Sequence, residues 1–219
     1  MVDSENAFDL LRAGDADGLR RLLKDNSAAA EAVDENGVSL LMHCVYRGRR
    51  DLAGVIGRKK MSIDIYEAAA LGDSGALMRF AGQPQELKSH SKDGFTALHF
   101  ACFFGQPDAA KWLIANGAPV DTVAANPTLV TPLHSAASAR NLEAARALLN
   151  QGASVNARQQ AGWTPIHSAA QNGDRAMLEL LLQHGADPIA TNDQGKTPAA
   201  VAREAGHDDL ASLLPESHA

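Results

Sequence analysis

The sequence has few cysteines, few aromatic residues and no excess of basic charge, and each shortage argues against a class of protein. Two cysteines in 219 residues are too few for a disulfide scaffold, so the composition favours a reducing compartment, and we expect a soluble cytoplasmic protein with core thiols. A net charge of −6 argues against general nucleic-acid binding. No apolar run approaches the ~20 residues that span a bilayer, and residues 1–18 show no secretory signal.

What the sequence does contain is an internal repeat. Four ten-residue segments align without gaps and begin at Thr96, Thr131, Thr164 and Thr197, which are 35, 33 and 33 residues apart. A Gly-Ala pair follows the first three segments at a constant interval, at Gly117, Gly152 and Gly185. The two-residue excess before Thr131 therefore lies in the connector that contains ANPTLV, and we expect only connectors to vary in length.

Each unit reads as a pair of short helices. Thr followed by Pro is typical of a helix start, because the threonine oxygen can cap free N–H groups and proline loses no hydrogen bond at the first helical position. The second helix carries a leucine stripe spaced at three and four, as in LEAARALLN and MLELLLQ. Glycine then suits a left-handed helix terminator. One such unit cannot bury its apolar faces alone, so we expect the units to stack.

Weaker copies extend the repeat toward the N-terminus. SLLMHCVYRG begins at Ser39, IDIYEAAALG begins at Ile63, and ENAFDLLRAG ends at Gly14, which gives about seven units. Ile63 lies only three positions after Lys60, where the corresponding interval in the clear repeats is about twelve. One connector is therefore predicted to be missing near residues 60–63.

The motifs TPLH (131–134), TPIH (164–167), GASVNA (152–157) and GAD (185–187) at a 33-residue period resemble those of the ankyrin repeats. The resemblance implies a mainly α repeat solenoid of about seven stacked helix-turn-helix units with short β-hairpin fingers. We expect a single domain over residues 1–219, with degenerate repeats and a cap in 1–89, clear repeats in 90–190 and a C-terminal capping repeat in 191–219. Within that cap, DDLASLLPESHA is predicted to end the stack at Pro215.

Nothing in the chain predicts catalysis, a metal site or a cofactor. His99, His134 and His167 share one position of the repeat, so we interpret them as structural residues that bond to backbone at the helix start. His99 and Cys102 have a spacing that could hold zinc, but both positions are already explained by the repeat. Nothing in the sequence resembles an HExxH motif, a nucleophile elbow, a Walker A motif or a dinucleotide-binding fingerprint. An enzyme would need a pocket of convergent polar groups, for example around His90 or His184.

The aromatic residues point to a binding surface. Phe103 and Phe104 align with residues that are small or polar in the other clear repeats, and the resemblance places them, with the residue before each threonine, on the concave face of the solenoid. Phe95, Phe103, Phe104 and Trp163 are thus candidates for one exposed apolar patch, the alternative being local packing against the shortened repeat. The full set of predicted partner-binding residues is Tyr46, Arg47, Phe95, Phe103, Phe104, Trp163, Gln171 and Asn172.

The function favoured by these residues is a protein-interaction module that binds a segment of a partner protein on the concave face and the fingers. Two alternatives stay open. In the first, the aromatic patch joins two copies of the chain into a homodimer. The basic segment, residues 47–60, holds six basic residues against one acid, so it is either a solvated face or a site for an acidic segment or another anionic ligand, lipid or nucleic acid included.

Overall fold

The computed structural model describes residues 2–215, and their regular structure is helical except for one isolated antiparallel bridge between Val33 and Ser39. Short 3-10 helices lie at 27–31, 78–80 and 160–162. Met1 and residues 216–219, the last part of the predicted C-terminal cap, lie outside the described residues. In chain order the helices are α1 (Val2–Arg12), α2 (Ala16–Asp25), α3 (Leu40–Tyr46), α4 (Arg50–Gly57), α5 (Ile65–Leu71), α6 (Ser74–Leu77), α7 (Pro84–Lys88), α8 (Ala97–Phe103), α9 (Pro107–Ala115), α10 (Pro132–Ser138), α11 (Leu142–Asn150), α12 (Pro165–Asn172), α13 (Arg175–Gln183), α14 (Pro198–Glu204) and α15 (Asp208–Ala211).

The helix boundaries follow the predicted signals. Thr131, Thr164 and Thr197 are the N-cap residues of α10, α12 and α14, each with proline as the next residue. The glycines after α9, α11 and α13 have φ of 90°, 83° and 87°. These left-handed values permit the sharp exit from each second helix that a Cβ would hinder.

The helices form two layers that are built by stacking. The first helices pack in succession, α3 against α5, then α8, α10, α12 and α14, and the second helices α9, α11 and α13 do the same. Between neighbouring first helices the alanines Ala136, Ala137, Ala169 and Ala170 are completely buried, and their small side chains let the helices approach closely. The predicted mainly α repeat solenoid is therefore confirmed.

The predicted β-hairpin fingers are not confirmed, because the connectors within residues 2–215 form turns and no strand. Each turn has few backbone hydrogen bonds of its own; for example, the N–H of Ser91 donates to the carbonyl of Phe95 at 2.8 Å. A bond also links successive turns, as where the N–H of Ala125 donates to the carbonyl of Gly94 at 2.7 Å. The connectors are thus joined edge to edge without a ladder long enough to count as a strand.

A buried ion pair occupies the place of the missing connector. Residues 58–64 join α4 to α5, and the ammonium group of Lys60 lies 2.8 Å from Oε1 of Glu67, with 9% and 1% of the two side chains exposed. The hydroxyl of Ser39 donates to the same oxygen at 2.6 Å. The carboxylate therefore ties the α3/α4 pair to the α5/α6 pair.

The alignment that began this unit at Ile63 was wrong by one residue. Asp64 caps α5, accepting from the N–H of Glu67 at 2.8 Å, while Glu67 accepts from the N–H of Asp64 at 3.1 Å. This reciprocal capping box fixes the helix start. Glu67 consequently occupies the position that His99 and His134 hold in other repeats.

The second helix of the same unit is also irregular in a way that was not predicted. Helix α6 has only four residues and continues into a 3-10 turn, and the separate helix α7 follows. Gly82, whose φ is 74°, and Pro84, the first residue of α7, interrupt the helical backbone between α6 and α7. The count of seven repeats and the division of the chain into three parts stay predictions.

The leucine stripes give a direct test of the layers. Leu148 and Leu181 are fully buried, while Leu142 and Leu182 are only partly buried against the core. Leu148→Ala or Leu181→Ala should each lower the free energy of unfolding by ~2–5 kcal/mol, because a cavity replaces the lost side chain. Urea denaturation would measure this, with the 46%-exposed Leu213→Ala as control. A loss below ~1 kcal/mol at both buried sites would contradict the stripe assignment.

The Lys60–Glu67 pair gives a second test. Lys60→Met leaves the buried Glu67 carboxylate without its cation and should cost ~3–5 kcal/mol in the free energy of unfolding. Lys59→Met is a matched control, since Lys59 is exposed and adjacent, and it should cost less than ~0.5 kcal/mol. Equal losses in the two variants would show that the pair is not part of the core.

Candidate functional site

Aromatic side chains from three helices and a connector form an apolar groove of about 350 Å³. We call it the aromatic groove. Its lining comes from α3, α8 and α10 and from the connectors before α8 and α10. The residues are Tyr46, Phe95, His99, Phe100, Phe103, Phe104, Thr128, Val130, His134, Ser135 and Ser138.

The rings of the groove pack against one another. Phe100 and Phe104 are stacked with centroids 6.2 Å apart, and Phe103 meets Phe104 edge to face at 5.2 Å. Tyr46 lies 5.8 Å from Phe104, although a whole helix pair separates α3 from α8. The intervening helix α5 carries the buried run Ala68–Ala70, which leaves room for Tyr46 to reach across it.

The exposed fraction of each ring corrects one prediction. Phe103 is 52% exposed and Tyr46 is 42% exposed, whereas Phe104 is only 9% exposed and belongs to the core. Phe95 is half-buried against the core. Phe104 therefore forms the floor of the groove, and the prediction that it is an exposed anchor was wrong.

Trp163 and Gln171 lie elsewhere. They line a second, more polar groove of about 330 Å³ together with Lys196 and Glu204. The amide nitrogen of Asn172 donates to the carbonyls of Ala137 and Ser138 at 3.2 and 3.1 Å, so this side chain links two helix pairs. The four predicted aromatic residues are thus divided between two grooves and do not form one patch.

The two-residue excess before Thr131 builds one wall of the aromatic groove. The carbonyl oxygen of the Asn126 side chain accepts from the N–H of Thr128 at 3.0 Å, and its amide nitrogen donates to the carbonyl of Asp93 at 2.8 Å. Leu129 takes a left-handed φ of 55°, which is unfavourable for a branched side chain. These bonds hold Thr128 and Val130 beside the rings.

The basic segment is not one open surface. Arg49 bonds to Asp51 at 3.1 Å, and Lys60 is buried against Glu67. Arg50 donates to the carbonyl of Phe104, while Arg58 lines a separate cleft of about 660 Å³ that Arg50 also borders. Arg49, Arg50 and Lys60 therefore bond to three different partners.

His90 borders a third groove, of about 300 Å³, whose polar groups bond to one another. The hydroxyls of Tyr46 and Ser91 both donate to the carboxylate of Asp93, and Nε2 of His90 lies 3.2 Å from the carbonyl of Val123. The hydroxyl of Ser39 donates to the carboxylate of Glu67. These side chains of the groove are therefore bonded to other groups of the protein.

The repeated histidines link successive layers. In His99, Nδ1 accepts from the N–H of Thr96 at 3.2 Å, so the proton must sit on Nε2, which donates to the carbonyl of Val130 at 3.0 Å. His134 and His167 make the corresponding two bonds. The Nδ1 atom of each accepts from the N–H of the threonine three residues earlier, and Nε2 donates to the carbonyl of Trp163 in the case of His134 and of Lys196 in the case of His167. The neutral ring is thus a structural part that connects one repeat to the next.

Burial controls the protonation of these rings and of the thiols. It lowers the pKa of His99 and of His134 to about 4 and also lowers the pKa of His167. Burial raises the pKa of Cys44 to about 11 and raises that of Cys102 further. Among the side chains that the structure describes, in residues 6–215, no group of three His, Cys, Asp or Glu residues could hold a metal ion.

The successive layers, the capped helix pairs and the histidine links define a helical repeat protein of the solenoid class. Family models of the ankyrin repeats match the chain twice, one with three copies over residues 65–159 and one with many copies over 148–202. The two matches together cover more than half of the chain, which belongs to the ankyrin-repeat family. Ankyrin repeats are generally protein–protein interaction modules and typically not enzymes.

Two curated relatives are also ankyrin-repeat proteins. The chain is 25% identical over 148 residues to the ankyrin repeat domain-containing protein SAT10 of Stachybotrys chartarum, covering 66% of this chain and 8% of that protein. It is 25% identical over 163 residues to the putative ankyrin repeat protein FPV014 of Fowlpox virus, covering 69% of this chain and 36% of that protein. The chain thus spans well under half the length of either relative. None of the helices in residues 2–215 has both the length and the apolar character needed to cross a bilayer.

The histidine links predict a loss of stability in acid. Since the pKa of His99 and His134 is about 4 in the folded state and ~6.5 in the unfolded state, the unfolded chain binds more protons between these values. The free energy of unfolding should keep its full value above pH ~6.5 and fall as the pH drops toward ~4, by at most on the order of 3 kcal/mol per ring.

Urea denaturation at several pH values would measure this loss. The His134→Gln variant should flatten the dependence, because glutamine can keep the capping bond without titrating. Imidazole resonances of His99 and His134 that titrate near pH 6.5 in the folded protein would contradict the assignment.

Proposed function

We propose that this protein binds a segment of a partner protein through the aromatic groove and the surface beside it, on the concave face that the family resemblance implies. The observation that carries the proposal is the half-exposed Phe103, which sits on a fixed floor of buried rings. An exposed aromatic side chain on a rigid support is typical of an anchor residue in a protein interface.

The predicted partner-binding residues contribute unequally to this proposal. Tyr46, Phe95 and Phe103 line the groove and are at least partly accessible, and Phe104 supports them from below. Trp163 and Gln171 border the second groove, which would contact a more distant part of the same segment. Arg47 is exposed at the end of α3, and Asn172 acts mainly as a link between helix pairs.

Self-association through Phe103 is the second candidate function, since the same exposed ring could pack against a second copy of the chain. Light scattering separates the two functions. A monomer at tens of micromolar, with binding to other proteins that depends on Phe103, supports the proposed function. A dimer that Phe103→Ser dissolves without unfolding supports self-association.

Phe103→Ser should lower the affinity for the partner about 30-fold, or ~2 kcal/mol, and change the free energy of unfolding by less than ~1 kcal/mol. Phe104→Ala should instead cost ~3–5 kcal/mol of stability, as a buried aromatic truncation. Capture of proteins from a native lysate, quantified by mass spectrometry, would compare the intact chain, Phe103→Ser and the control Ile189→Ser.

Ile189 is a suitable control because it is 48% exposed and borders neither groove. Proteins that bind the intact chain and the control but are lost with Phe103→Ser support the proposal. Equal recovery by all three chains would contradict it.

A further inference from the structure

Three arginines lie where first helices turn into second helices, beside residues that line the aromatic groove. Arg47 ends α3, Arg50 begins α4, and Arg140 follows α10. We call this row the arginine edge. Each arginine is next to a residue that lines the groove: Arg47 follows Tyr46, Arg140 stands two positions after Ser138, and Arg50 bonds to the carbonyl of Phe104.

The three guanidinium groups bond to uncharged partners. Arg47 donates to Nδ1 of His43, Arg50 to the carbonyl of Phe104, and Arg140 to the carbonyl of Asn172. Among the described side chains no carboxylate forms an ion pair with any of the three. None of the three therefore pairs directly with a carboxylate, and Asp34 is linked to Arg47 only through the ring of His43.

The acids nearest to these arginines along the chain and across the groove are already engaged. Asp51 pairs with Arg20 and Arg49, Asp73 caps α6, and Glu143 pairs with Lys111. Asp93, on the connector side of the groove, accepts from the hydroxyls of Tyr46 and Ser91. Asp108, in the first turn of α9, complements the helix dipole.

The groove itself suits an uncharged and bulky side chain. Its walls are aromatic rings, Val130 and the carbon atoms of neighbouring side chains, and its volume is about 350 Å³. An apolar cavity of ~150 Å³ can hold a benzene ring, so the aromatic groove has room for one large side chain and part of the attached backbone.

We propose that the partner segment is acidic and extended, with one bulky apolar side chain that enters the aromatic groove and carboxylates that meet the arginine edge. The inference depends on the proposed function and specifies the chemistry of its partner. Guanidinium groups bind carboxylates in a planar, two-bonded geometry that an ammonium group cannot match.

The repeat spacing sets where the carboxylates should stand. Packed helices lie ~10 Å apart, and an extended chain advances ~3.3 Å per residue. Arg140 is one helix pair beyond Phe103, or about three residues of extended chain. Arg47 is two helix pairs before Phe103, or about six residues. The segment should thus carry acids about three residues to one side of the apolar anchor and about six to the other.

A phage-displayed library of random 15-residue peptides, selected on the intact chain, tests this chemistry. The expected selection is for Leu, Ile, Phe or Trp with Asp or Glu at the two stated distances. A fluorescein-labelled peptide of the leading sequence then serves as the probe in anisotropy titrations. Its affinity should fall at least about tenfold in Arg47→Glu/Arg140→Glu, and it should weaken with rising salt.

The matched control is Arg21→Glu/Arg146→Glu, which makes the same change in net charge at two exposed arginines away from the groove. This control should keep the affinity within about twofold. An unchanged affinity in Arg47→Glu/Arg140→Glu, or selected peptides that are not enriched in Asp or Glu, would overturn the proposal that the segment is acidic.

The failure of the proposed function has a different signature. If the selected peptides bind Phe103→Ser as tightly as the intact chain, or if none are selected on the folded protein, the aromatic groove is not a segment-binding site and both proposals fall. If binding depends on Phe103 but not on Arg47 and Arg140, only the acidic character is wrong.

Discussion

Every helix pair in this molecule can bury its apolar side only against the next pair, and that constraint shapes the rest of the structure. Alanines at the contact bring the first helices close together, and a histidine from one pair then reaches a backbone carbonyl of the next. The bond requires a neutral ring, because Nδ1 must accept while Nε2 donates. Packing and hydrogen bonding therefore specify the same spacing, which is why the motif recurs at a constant period.

The one irregular unit explains where the groove lies. At the α5/α6 pair a glutamate replaces the histidine, the connector before the helix is short, and the second helix is cut to four residues. Small residues on α5 let Tyr46 pass over it to the phenylalanines of α8. A regular array would hold each aromatic side chain against its immediate neighbour only. The irregularity thus gathers rings from separated pairs into one place.

Sequence reasoning predicted what depends on local rules and missed what depends on three-dimensional neighbours. The Thr-Pro helix starts and the glycine exits follow from capping and backbone preferences, and they lie where the spacing placed them. Phe103 and Phe104 looked equivalent in the alignment, but one residue of helix rotates a side chain by about 100°, which turns Phe104 into the core. The start of α5 was misplaced because the alignment followed the final glycine, while the capping box of Asp64 and Glu67 sets the true first residue. The hairpins were inferred from resemblance, and the short connectors do not provide the paired residues that strands need.

Tyr46 and Arg50 reach from the α3/α4 pair to Phe104, over the pair that stands between them. In a linear array each repeat unit touches only the units beside it, so single units can unfold one at a time. The contacts of Tyr46 and Arg50 with Phe104 change this unit-by-unit behaviour in the middle of the chain. Because these contacts join the units on the two sides of the α5/α6 pair, we expect this least regular part of the array to unfold together with its neighbours as one cooperative block.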